Sequence, residues 1–166
     1  MRAASPADNR WNRHVSDETS VAIGDLEALL GRLQGEHQAL VNAITEAAPE
    51  DFERENEEGE SVKRILERTA DDVNFYYGSL VARAVSLPQP PFMKSAEYPS
   101  LREAMMSLQV AHRRFFNLLH DLTTEDLGRR TSLESTAEYT LRQVLETAVA
   151  HYRLRAGQMR DVRGDQ

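Results

Sequence analysis

Five side chains of this 166-residue chain combine a reactive type with a place on or beside an apolar stripe: His37, His112, His151, Arg68 and Arg155. On a helical wheel of about 100° per residue, His37 falls among Leu33, Leu40 and Val41. His112 falls among Leu108, Phe115 and Leu119. Arg155 falls among Tyr152, Met159 and Val162, with His151 at the edge of that stripe, and Arg68 lies one flank away from the stripe of its own segment. Neutral imidazoles can hold a borderline divalent ion and leave a position open for water or a thiolate. A guanidinium has no lone pair to donate and keeps its charge, so it suits a carboxylate or a bound anion.

Each residue also has a plainer use. A lone histidine on an apolar face is usually a hydrogen-bonded core residue. Arg68 could be a surface residue paired with Asp72 one turn later. Arg155 is harder to place that way, because a buried unpaired guanidinium costs several kcal/mol. It calls for an acidic partner, a bound anion, or a stem long enough to snorkel to the rim.

Four segments must position these groups, and no segment reads as strand. The first runs from about Ser20 to Ala47, with Ile23, Leu26, Leu30, Leu33, Leu40, Val41 and Ile44 as its stripe, and Pro49 stops it. The second runs from about Ser61 to Val85, with Val62, Ile65, Leu66, Val73, Tyr76 and Leu80 on one face and Ser61 as N-cap. The third runs from about Leu101 to Leu122 and the fourth from about Leu141 to Val162. Each opens on a capping box, Ser100–Glu103 and Thr140–Gln143, and Gly164 follows the last. Thr124 to Leu127 reads as a short extra turn. The spacing predicts an all-α four-helix bundle over residues 17–163, with 1–16 as a flexible N-terminal arm. The Pro-rich connection from Ser86 to Tyr98 can span roughly 45 Å, against roughly 33 Å for a helix of about 22 residues. It can therefore cross the bundle and let helices two and three run parallel.

Composition narrows the function. The net charge is -7, which disfavours nucleic acid or an anionic membrane as partner. Cysteine is absent, which removes thiolate ligands, disulfides and a cysteine nucleophile and fits a reducing cytoplasm. No stretch approaches the roughly 20 apolar residues of a membrane span. Eighteen of the 20 basic residues are Arg, scattered along the chain.

Helix four, reading Leu141-Arg142-Gln143-Val144-Leu145 and then His151-Tyr152-Arg153-Leu154-Arg155-Ala156-Gly157-Gln158, resembles the last helix of the DinB-like bundles, with its H-x-x-x-H and A-G-Q pattern. Ser61-Val62-Lys63-Arg64-Ile65-Leu66-Glu67-Arg68 resembles that family's W-[ST]-V-x-x-[IVL]-L-x-H segment. The resemblance covers about residues 20–162. It implies an up-down-down-up bundle with a long crossover between helices two and three. It also implies a three-histidine divalent-metal site, used by several members for thiol-S-transfer or isomerisation. At the three ligand positions this chain has Arg68, His151 and Arg155, and Glu60 stands at the tryptophan position. Two guanidiniums there would repel a metal ion, so no metal or other cofactor is expected.

If the family topology holds, Arg68, His151, Arg155, His37 and His112 fall within one slab about 8 Å thick. That pocket would be cationic and histidine-lined. It could be closed by an internal acid (Glu67, Asp71, Asp72 or Glu146) or filled by a small anionic metabolite. Two other readings remain: a transferase whose metal is held by His37, His112 and His151, and a homodimeric interaction bundle.

Overall fold

The computed structural model describes the backbone of residues 11–89, 96–133 and 137–164, and side chains from residue 25 onward within these. Helix α1 spans Trp11–Thr45. It begins before the expected Ser20 and takes in residues 11–16 of the predicted arm; residues 1–10 of that arm lie outside the described residues. Pro49 cannot continue α1 but suits a first helical position, and it opens a 3-10 turn at Pro49–Asp51.

A second rod is built from three consecutive pieces: α2 (Val62–Asp71), a π-helical stretch (Asp72–Tyr77) and α3 (Gly78–Ala84). Ser61 caps it, its Oγ accepting from the Arg64 N–H. The π stretch corrects the wheel drawn from sequence. With i→i+5 bonding each residue turns less about the axis than in an α-helix, so the faces slip backwards. Tyr76, expected in the stripe, is 40% exposed, and Tyr77 takes the interior place at 4%.

Helix α4 spans Leu101–Leu119 and α5 spans Leu141–Arg163. At Ser100 the serine half of the expected box is present, its Oγ accepting from the Glu103 N–H. At Thr140 both halves are present, and Gly164 closes α5 at φ 78°, a left-handed conformation that glycine adopts without strain. The fold is thus all-α, with four rods among the described residues and one small exception. Arg130–Thr131 (β1) and Tyr139–Thr140 (β2) pair antiparallel, where no strand was expected. Two residues a side are too few to show a period of two. The extra turn forms at Glu125–Gly128.

The connections are anchored to the rods. Asp71 Oδ1 accepts from the Ala96 N–H at 2.7 Å, and Glu67 Oε1 from the Tyr98 N–H at 2.9 Å. Pro90 and Pro91 lie outside the described residues. Thr131 Oγ1 donates to the Leu80 carbonyl. Between α1 and α5, Asp25 meets Arg142, Glu36 meets Arg153 and Glu46 meets Arg163, in the same order along both helices. Leu33, Leu40, Ile65, Leu108, Phe115 and Leu145 are fully buried between the rods. Among the described residues no helix is long and apolar enough to cross a membrane.

Candidate functional site

Stripe positions on three rods carry polar side chains inward, and most of them meet. His37 of α1 and His112 of α4, each 6% exposed, stack with ring centroids 3.3 Å apart and planes 7° from parallel. His112 is satisfied in the plane of its ring. Nδ1 lies 2.9 Å from the Tyr152 hydroxyl and Nε2 lies 3.2 Å from Gln34 Oε1. Because the glutamine oxygen only accepts, the consistent assignment is a neutral ring. Nε2–H donates to Gln34, and the Tyr152 hydroxyl donates to Nδ1. His37 differs: neither of its ring nitrogens has a hydrogen-bond partner among the described residues. Burial lowers its pKa to about 4, and burial together with the neighbouring His37 lowers that of His112 to about 3. Both rings are neutral at pH 7.

One residue before Tyr152, His151 faces the π stretch. Its Nδ1 is 3.1 Å from the Tyr77 hydroxyl and its Nε2 is 3.4 Å from Asp72 Oδ2. The same carboxylate oxygen accepts from Arg155 Nη2 at 3.2 Å, while Arg155 Nη1 donates to Gln158 Oε1 at 2.9 Å. Arg155 Nε is buried without a partner among the described residues. The His151 pKa is lowered, first by burial and then by the Arg155 charge, against the pull of Asp72. Burial raises the Tyr77 hydroxyl, so it keeps its proton and is a poor nucleophile. Asp72, His151 and Tyr77 form a carboxylate–imidazole–hydroxyl chain, but the hydroxyl at its end is not activated. The void beside it, bounded by Thr69, Tyr77, His151 and Arg155, measures about 10 Å³, the space of a single water.

Four of the five predicted residues therefore turn inward in two neighbouring groups, His37 with His112 and His151 with Arg155, and the fifth does not. Arg68 points outward to Glu60 in a two-pronged ion pair, its side chain 46% exposed. Asp72, the partner suggested for Arg68, serves Arg155 and His151 instead. Of the acids expected to close the pocket, Asp72 does so. Glu67 and Asp71 hold the crossover backbone.

The donor set does not fit the metal that the resemblance implies. Of the three ligand positions two are guanidiniums, each engaged by a carboxylate. Nor do His37, His112 and His151 converge, because two are stacked face to face and the third turns to Asp72. Among the described residues no three His, Asp or Glu side chains are grouped as a metal ion would require.

Sequence reasoning missed Tyr77, Tyr152, Gln34 and Gln158 as partners. Tyr152 carried a usable signal, since a tyrosine inside an apolar stripe needs somewhere to send its hydroxyl. Tyr77 carried none, because the π stretch alone brings it inward.

A larger cavity of about 380 Å³ lies on the other side of the π stretch, between it and α4. Val73, Phe75, Ala111, Phe115 and Leu118 form apolar walls; Asn74, Gln89 and Arg114 are polar. No protein-family model, curated protein or solved structure matches this chain.

Proposed function

We propose that this chain is a DinB-like bundle, run up-down-down-up, that works as a metal-free binding module for a small anionic metabolite rather than as a metal-dependent transferase. The observation that carries the metal-free part of this reading is the sharing of Asp72 Oδ2 by Arg155 and His151. Where the resemblance calls for a divalent cation, this chain has fixed positive charge already neutralised from within. The departures from the family pattern also compensate one another. Glu60, at the tryptophan position, pairs with Arg68, at the first ligand position. Arg155, at the third, pairs with Asp72.

The direction of the helices is supported by paired contacts. The three α1–α5 ion pairs rise together. Asp72 meets Arg155 while Tyr77 meets His151, which supports a second rod running opposite to α5. Glu67 meets Tyr98 just ahead of α4, while Val73 and Gly78 share a cavity with Ala111 and Leu118, which supports a second rod running with α4.

Elemental analysis of protein purified without an affinity tag tests this reading. The expected result is well below one equivalent of any transition metal. Stoichiometric zinc or nickel that survives gel filtration and disappears on His151→Ala would overturn it.

A further inference from the structure

We propose that the cavity between the π stretch and α4 is a binding site for an apolar monocarboxylate, with Arg114 and Asn74 receiving the carboxylate. This rests on the binding-module reading and gives it a site other than the five residues singled out from sequence.

The void beside Arg155 has room for about one water and none for a metabolite, and the charge of Arg155 is already met by Asp72. The second cavity is different in size and in charge. At about 380 Å³ it lies within the range of small-molecule sites, roughly 300–1,000 Å³. Its walls are Val73, Phe75, Ala111, Phe115 and Leu118, which would strip water from an aliphatic or aromatic body. Arg114 is the one charged residue among the described residues of the wall. The side chains of Arg114 and Asn74 have no hydrogen bond or ion pair to any described residue; Arg32, Arg102, Arg113 and Arg160 share that freedom, but of these five arginines only Arg114 lines the cavity.

The ligand class follows from that pairing of surfaces. A free guanidinium presents a planar fork that a carboxylate fills with two parallel hydrogen bonds. The Asn74 amide can add an N–H donor from the π stretch, whose slipped register puts Asn74 and Phe75 on the cavity side and Tyr77 on the opposite side. An amine of the same body would meet Arg114 with like charge and be rejected. A neutral alcohol would keep the apolar contacts and lose the charge-assisted bonds.

Titration calorimetry with decanoate, decanol and decylamine, below their aggregation limits, tests the proposal on the full chain. Decanoate should bind one to one. Decanol should bind at least tenfold more weakly and decylamine not measurably. Arg114→Gln should weaken decanoate at least tenfold and leave decanol unchanged, and Arg114→Lys should recover part of the loss. Ala111→Leu narrows the cavity and should weaken both; Arg114→Gln, at an exposed unpaired position, keeps the test decisive if that variant folds poorly. No decanoate binding, equal binding of decanoate and decanol, or equal binding to parent and Arg114→Gln would each overturn the proposal. Metal content measured on the same preparations separates the two ideas. Stoichiometric metal sinks the module reading whatever decanoate does, and an indifferent Arg114→Gln sinks this site while the metal-free reading stands.

Discussion

The two sides of the π stretch use the same six residues to opposite ends. On the inner side Asp72 and Tyr77 join His151 and Arg155 in a closed polar network with room for about one water. On the outer side Asn74 and Phe75 border an open apolar cavity in which Arg114 has no partner among the described residues. Two arginines near one element therefore face different physics. Arg155, its side chain 11% exposed, could not be tolerated without Asp72. Arg114 is exposed and stays hydrated, so leaving it unpaired costs the fold nothing, and the charge remains available to a ligand.

The largest effect should come from acid acting on the stacked His37–His112 pair, the other buried polar group of the interior. The folded pKa values of His37 and His112, about 4 and about 3, lie below the ordinary histidine value of 6.5. The unfolded chain therefore binds these two protons at higher pH than the folded chain does. Their contribution is fully present above about pH 6.5. It is withdrawn as pH falls towards the folded values, by up to about 1.4 kcal/mol per pH unit for each ring. By pH 4 the pair should have removed several kcal/mol. Urea unfolding from pH 7.5 to 4 checks this. The His37→Leu variant should be at least as stable as the parent at pH 7, since two unpartnered buried nitrogens are removed, and its acid slope should be shallower by about one proton. A variant with the parent's slope would show that His37 does not stay neutral in the fold.

The next largest effect should come from Asp72→Ala, which strands Arg155. Breaking a fully buried pair costs about 3–5 kcal/mol; with the Asp72 side chain 33% exposed, a loss of about 2–3 kcal/mol is expected. Arg155→Met in the Asp72→Ala background should recover most of that loss, and a double-mutant cycle by chemical denaturation measures the coupling. An additive cycle would mean that the two charges do not depend on each other.

The smallest effect sharpens the contrast. Arg114→Gln should change stability by no more than about 0.5 kcal/mol, as for a surface position without partners, even though the same change should weaken carboxylate binding. A loss of about 2 kcal/mol would instead mark Arg114 as a structural ion-pair member.

Much of this molecule was legible from local rules. Ser61 and Thr140 act as caps because their side chains find backbone N–H groups a turn away. Pro49 and Gly164 act at helix ends because of their own backbone geometry. His37, His112 and Arg155 turn inward because a 3.6-residue period fixes the side on which a side chain leaves its helix. The sequence by itself therefore determined four amphipathic helices, and the presence of polar groups inside them.

Tertiary structure decided how those groups are matched. The π stretch is invisible to a fixed-period wheel, and it exchanges Tyr76 for Tyr77 in the interior. The choice of Asp72 for Arg155, and of Glu60 for Arg68, depends on which helices lie side by side and at what height. The stacking of His37 on His112 joins residues 75 positions apart. The cavity beside Arg114 exists because the π stretch and α4 do not close upon each other. These are relations between elements, and a pattern read along one chain direction carries the orientation of each element but not the distance between two of them.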